Sequence, residues 1–187
     1  MSQVADELVT LEDFLRMPET KPACEYMDGR IIQKVSPKAK HSLMQGKLVT
    51  RINRKTERKK VGLAFPELRC TFAGRSLVFD VSYLLWKRIP LDEDGEPIDD
   101  IFLAPDFAVE VLSPGQRESY LVELLSFAVR NGVKLAWLVN PRTRHVRVFR
   151  PGEPVQTLEG EDVLQTGKLV AGLQCTVAEL FGWLRIE

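Results

Sequence analysis

Phe102-Leu-Ala-Pro-Asp-Phe-Ala-Val-Glu-Val-Leu-Ser-Pro-Gly115 holds one carboxylate, Glu110, in the middle of an apolar run. The run reads as a buried strand. Burying an unpaired carboxylate there costs several kcal/mol or more, so the charge needs a reason. Leu77-Val-Phe-Asp-Val-Ser-Tyr-Leu84 repeats the pattern upstream with Asp80. Alternate strand residues face the same way, which groups Val78, Asp80 and Ser82, and likewise Ala108, Glu110 and Leu112. Neighbouring strands would bring the two acids onto one ion. A hard divalent cation takes such oxygens and keeps several waters, and it can activate water against a phosphodiester. An arginine partner for each acid, or a capped bend, fits the same spacing.

Outward from these strands the punctuation is regular. Thr10-Leu-Glu-Asp13 caps a short helix through Met17, which Pro18 and Pro22 end. Cys24-Glu-Tyr-Met, Asp28-Gly29 and Arg30-Ile-Ile-Gln-Lys-Val35 predict a hairpin, because Asp-Gly favours a tight primed turn. A helix is expected over His41 to Lys60, then strands near Gly62–Phe72, Ser76–Leu85 and Asp106–Ser113. Leu91 to Asp100 is an acidic surface loop. The spacing of Leu121, Leu124, Leu125, Ala128 and Val129 predicts a helix over Gln116–Arg130, stopped by Asn131-Gly132. The nearly continuous apolar run within Val133–Asn140 suits a sheet centre covered on both faces. Arg144–Arg150 alternates and lies nearer an edge. Thr176-Val-Ala-Glu179 is a capping box opening a last short helix.

This order predicts an α/β, or mixed α+β, chain with a central sheet flanked by helices. One domain is expected over 1–187, with a core of about 38–150, an N-terminal helix and hairpin at 10–35 and a C-terminal extension at 151–187. No repeat or long linker divides it.

The 26 basic and 26 acidic residues cancel, so polyanion binding must come from local clusters. On a helix, Arg51, Arg54, Lys55 and Arg58 form one face that would suit a phosphate backbone. A solvated helix face fits the same pattern. Arg142, Arg144, Arg147 and Arg150 form a second cluster. Three scattered cysteines, Cys24, Cys70 and Cys175, exclude a disulfide framework and a zinc-type CxxC pair. Residues 1–7 lack a basic region and an apolar signal core, and no apolar run reaches the roughly 20 residues of a membrane span. A soluble cytoplasmic protein is expected, with no membrane partner.

Leu11-Glu-Asp-Phe14, Cys24-Glu-Tyr-Met-Asp-Gly29, Ser36-Pro37, His41, Phe79-Asp-Val81, Pro105-Asp-Phe-Ala-Val-Glu-Val-Leu-Ser-Pro114, Asn131-Gly-Val133 and Trp137-Leu-Val-Asn-Pro141 occur in this order. The ordered set resembles the bacterial Uma family of restriction-endonuclease-like proteins, within the PD-(D/E)XK nuclease superfamily. The resemblance implies a restriction-endonuclease-like fold and hydrolysis of DNA phosphodiesters with Mg2+ or Mn2+. It implies that Asp80 and Glu110 hold the metal, that the Val111 backbone carbonyl adds a ligand, and that Glu25 and His41 complete the catalytic set.

The chain departs from that pattern in two places. Phe79 replaces the proline of the PD pair, and Leu112 replaces the lysine of E-x-K. Many Uma proteins carry the lysine on the following helix instead, but Tyr120, Glu123 and Leu124 stand there. Arg117, Lys38, Lys40 and Lys87 are the candidate substitutes. Gln116-x-x-x-Tyr120 resembles a glutamine–tyrosine motif of some superfamily nucleases. Two expectations stand side by side: a metal-dependent endonuclease, degenerate if no cation takes the lysine's place, and a non-catalytic DNA-binding or protein-interaction module. A homodimer through an edge strand and the C-terminal helix is a further reading.

Overall fold

The computed structural model describes residues 8–186; the leader reading of residues 1–7 falls outside them. The chain opens with helix α1 (Leu11–Arg16), where Thr10 accepts the Asp13 N–H as its N-cap. The hairpin follows as strands β1 (Cys24–Met27) and β2 (Arg30–Gln33). Asp28 and Gly29 take φ of 52° and 84°, the left-handed pair that the primed turn requires. Helix α2 (Ala39–Thr56) leads to strands β3 (Gly62–Phe72) and β4 (Arg75–Leu85). Strand β5 (Phe107–Val111), helix α3 (Glu118–Arg130) and strand β6 (Leu135–Asn140) form a crossover unit. Strands β7 (His145–Phe149), β8 (Gln156–Glu159), β9 (Val163–Gln165) and β10 (Gln174–Thr176) precede helix α4 (Val177–Gly182), which begins with the predicted capping box at Thr176 and Glu179.

The main sheet has the order β2-β1-β4-β5-β6-β7-β8, with β3 paired to β4. Among the described strands only β5 and β6 pair in parallel, which is why a crossover, here through α3, joins them. The hairpin, expected outside the core, is the end of this sheet. Between Arg150 and the last helix the sequence pattern marks no strand. Instead β8 extends the sheet and β9 pairs with β10 in a separate ribbon. Strands of three or four residues interrupted by Gly and Pro leave too little pattern to be read in advance.

Two apolar layers enclose the sheet. Met44, Leu48 and Ile52 of α2 pack with Val81, Tyr83, Phe107, Val109 and Trp137, joined by Leu180 and Phe181 of α4. On the opposite face, Leu121, Leu124, Leu125 and Ala128 of α3 pack with Leu77, Phe79, Ala108 and Leu138. On β5 the alternation is clean. On β4 it reverses: Leu77 and Phe79 belong to the α3 layer, Val81 and Tyr83 to the α2 layer. The shared face expected for Val78, Asp80 and Ser82 is therefore broken at Asp80.

The cause lies on β3. Its ladder with β4 runs to Leu68↔Phe79 and resumes at Pro66↔Val81, skipping Glu67 and Asp80. Pro66 has no N–H to give, and Glu67 takes φ of 48°. A local break of this kind re-aims the residue opposite it. The Asp80 carbonyl accepts the Gln45 side-chain amide at 2.8 Å.

Candidate active site

Asp80 and Glu110 stand on adjacent antiparallel strands, β4 and β5, and are 1% and 2% exposed. The Val111 amide, next to Glu110, donates to Asp80 Oδ2 at 2.7 Å and fixes that carboxylate. The other Asp80 oxygen and both Glu110 oxygens point at one cation, the Lys34 ammonium. Lys34 Nζ lies 2.9 Å from Asp80 Oδ1, 3.4 Å from each Glu110 oxygen, and donates to the Val78 carbonyl at 2.5 Å.

Lys34 was absent from the candidates drawn from the sequence. It comes from the hairpin, one residue beyond β2, where its amide donates to the Ala23 carbonyl at 2.9 Å. A signal for it existed. The Asp28-Gly29 turn fixes the register Glu25↔Ile32. Lys34 is two residues from Ile32, so it is a diagonal neighbour of Glu25 on the same face. Among the described residues, no ion pair joins Arg117, Lys38, Lys40 or Lys87 to either acid.

Glu25 is the third acid of the cluster, 2% exposed. Its Oε1 accepts the Val78 N–H at 2.9 Å and its Oε2 accepts the Tyr120 hydroxyl at 3.2 Å. Val78 thus presents its N–H to Glu25 and its C=O to Lys34, so one peptide segment of β4 spaces the two hairpin side chains. Tyr120, read as a failed lysine position, is a ligand of Glu25. The Gln116 side chain accepts the Ser113 amide at 3.2 Å and orders the turn after β5.

His41 lies in the first turn of α2. Its Nε2 is 3.3 Å from Asp80 Oδ1 and its Nδ1 is 2.9 Å from Ser113 Oγ. Leu112, in the E-x-K lysine position, lines a groove outside this contact, together with His41 and Ser113.

The electrostatics follow from three buried carboxylates around one lysine. Burial opposes a charge on Lys34, but Glu110, Asp80 and Glu25 outweigh it and hold its pKa above the ordinary value. Burial would also raise Asp80, yet Lys34 and His41 pull its carboxyl down to about 2. Glu110 goes the other way. Burial first, then the Asp80 charge, push it well above the usual range despite Lys34. Burial likewise raises Glu25, which Lys34 only partly offsets. Burial and the Glu25 charge push the Tyr120 hydroxyl upward.

This surplus of negative charge is the test of whether a metal fits. Among the described residues, no three His, Cys, Asp or Glu side chains are grouped as a metal cage. The oxygen pair of Asp80 and Glu110 fits a hard divalent ion that keeps much of its water shell. The surplus charge that now raises Glu110 is what such an ion would neutralise.

The remaining candidates separate. Arg51 lies over the Trp183 ring at 4.2 Å, and Arg51, Arg54 and Lys55 line a hollow with Glu179. Arg58 does not line that hollow. Arg147 Nε is 2.7 Å from Glu118, and Arg150 donates to the Gln165 carbonyl. Arg142 and Arg144 line the groove beside His41. Asp106 is a strand-entry residue: its carboxylate accepts the Leu85 amide and pairs with Arg88 and Lys134. Among the described residues, no helix is long and apolar enough to cross a membrane.

Comparison with known proteins assigns the chain. The family model described as Uma2, "Putative restriction endonuclease", matches residues 11–178. The chain belongs to the Uma2 family. A solved structure described as a "putative nuclease belonging to DUF820" from Anabaena variabilis ATCC 29413 is 36% identical. It superposes with a TM-score of 0.92, over 95% of this chain and 99% of that one. No curated protein matches. Membership accounts for the mixed sheet between two helical layers, which is the restriction-endonuclease-like arrangement expected from the sequence.

Proposed function

We propose that this Uma2 protein is a metal-dependent endonuclease that hydrolyses DNA phosphodiesters. The observation carrying the reading is that two almost fully buried carboxylates on adjacent strands converge on one lysine ammonium. Asp80 and Glu110 would hold Mg2+ or Mn2+. When bound, the ion lowers the pKa of a water and offsets charge developing on the phosphate.

The chain's own residues supply the rest. The Val111 amide locks Asp80 so that its second oxygen faces the centre. Lys34 is the cation nearest both acids and takes the role of the displaced E-x-K lysine, stabilising negative charge on the attacked phosphate. Such a preorganised cation in a dry site contributes more than it would in water. Glu25, held by Val78 and Tyr120, keeps Lys34 charged. His41, tethered by Ser113, orients Asp80 and stands between the acids and the groove.

The test is nicking of supercoiled plasmid in Mg2+ or Mn2+ by wild type, Asp80→Asn and Glu110→Gln. Cutting by the wild type alone is expected. Equal background cutting by all three would overturn the proposal. A second reading rests on Lys34 itself, whose ammonium already partly neutralises both acids without an ion. On that reading the chain binds DNA or a protein without cutting, and plasmid would be retained but stay intact.

A further inference from the structure

The groove outside His41 has a volume of about 820 Å3 and is lined by Lys38, Lys40, Arg142 and Arg144 with no carboxylate among its walls. Its apolar walls are Ala39, Leu112, Pro114 and Pro141, none aromatic. Two chain segments far apart in sequence bring the cations together: the start of α2 and the turn between β6 and β7. Arg144 holds its place in the left-handed region, with φ of 56°.

Three features make this an anion track rather than an ordinary charged surface. The first is that cations stand where the local backbone disfavours them. Lys38 is the N-cap of α2 without a capping side-chain bond, and the first turn contains no acid. Positive side chains beside the positive end of an 18-residue helix repel its dipole, so an anion bound there is favoured by both. The second is that the four groove cations make no ion pair among the described residues, whereas nearby Arg147 does, with Glu118. The third is continuity with the acids. His41 and Ser113 form the groove wall, and His41 Nε2 is 3.3 Å from Asp80.

We infer that this groove binds the phosphate backbone of the DNA strand to be cut, and that Lys38, Lys40, Arg142 and Arg144 position it. The inference rests on the nuclease reading above for the identity of the polyanion. It displaces the α2 face of Arg51, Arg54, Lys55 and Arg58 as the DNA contact. Arg54 lies roughly 20 Å along the helix from His41, at 1.5 Å rise per residue, so that face stands away from the acids. Without aromatic platforms for bases, the groove reads backbone rather than sequence.

The experiment is equilibrium binding of a fluorescent 30-base-pair DNA in EDTA across a KCl series. It compares wild type, Lys38→Gln/Lys40→Gln, Arg142→Gln/Arg144→Gln and a quadruple Gln variant of Arg51, Arg54, Lys55 and Arg58. Each groove pair should weaken binding by about tenfold or more and lower the salt slope by about 2, while the quadruple variant changes affinity less than about threefold. Unchanged affinity and slope in both groove pairs overturns the inference, as does loss confined to the quadruple variant, or a wild type that binds nothing at low salt. The same proteins are assayed for plasmid nicking. Groove-dependent binding without any cutting in Mg2+ or Mn2+ removes the nuclease reading and leaves the groove. Cutting that is insensitive to the groove pairs removes the groove and leaves the nuclease.

Discussion

Lys34 and Asp80 are 46 positions apart in the chain, and Lys34 Nζ stands 2.9 Å from Asp80 Oδ1. This one contact ties the edge hairpin to the centre of the sheet. Lys34→Met should lower nicking by about 100-fold or more if the ammonium stabilises developing charge. Lys34→Arg should retain part of the rate. Lys34→Met also leaves Asp80 and Glu110 buried without their shared cation, at a cost of about 3–5 kcal/mol at neutral pH. That cost shrinks as pH falls and Glu110 takes a proton. Thermal melts at pH 8 and pH 5 check this; an equal loss at both would refute the charge balance described above.

Glu110 and Asp80 have opposite pH signatures. Glu110 is raised well above 4.5, so it favours the fold below 4.5 and loses that contribution as pH rises through its raised value. In metal-free buffer, Glu110→Gln should therefore gain melting temperature relative to wild type on going from pH 5 to pH 8. Asp80 is lowered from 3.8 to about 2, so it stabilises above 3.8 and loses that contribution as pH falls through about 2. Asp80→Asn should cost on the order of 2 kcal/mol at pH 7, and the difference should vanish near pH 2.

Adding Mg2+ or Mn2+ tests the same pair from the other side. An ion bound only by the folded state raises stability by about 2.7 kcal/mol at 100 times its Kd. Calorimetric scans with and without metal should show this shift in wild type and not in Asp80→Asn or Glu110→Gln.

Tyr120 is tested through Glu25. Tyr120→Phe removes the hydroxyl bonded to Glu25 Oε2 but leaves the Val78 N–H on Oε1. A loss of about 1 kcal/mol is expected in denaturant melts, with a several-fold fall in nicking. Glu25→Leu should cost more, because it orphans the buried Val78 N–H as well.

Gly62 begins β3 where there is no room for a side chain. A Cβ there would lie 2.3 Å from the Tyr83 ring and 2.5 Å from the Leu84 carbonyl oxygen. Gly62→Ala should destabilise by about 1–3 kcal/mol or more, read from the urea midpoint, because backbone must move to admit it.

Most of the fold was legible because its elements are long and strongly patterned. The stripe of α3 and the apolar run of β6 each fixed one element, and Asp28-Gly29 fixed the hairpin with its register. Asp80 and Glu110 were legible because a charge inside an apolar strand has few explanations. Three things were not. The alternation of β4 reverses at Asp80, and its cause, Glu67 in a left-handed conformation after Pro66, lies on a different strand. Lys34 was hidden because a lysine near a hairpin end looks like a solvated edge residue until the sheet order places that edge beside the acids. On the basic face of α2, periodicity shows that four cations align but not that Arg51 lies over the Trp183 ring.

The hairpin carries both Glu25 and Lys34, yet its ladder to β4 consists of the single pair Tyr26↔Ser76. It behaves, in terms of local unfolding, as a separable unit held chiefly by side chains, such as the Arg75–Asp28 pair and the Arg69 guanidinium donating to the Cys24 carbonyl. Amide protons of residues 24–34 should exchange faster than those of β5 and β6. Each such opening withdraws two of the site's charges at once and exposes the other two to water. The working lifetime of the site is therefore set by how often its outermost hairpin detaches, and a variant can lose the site while the central sheet remains folded.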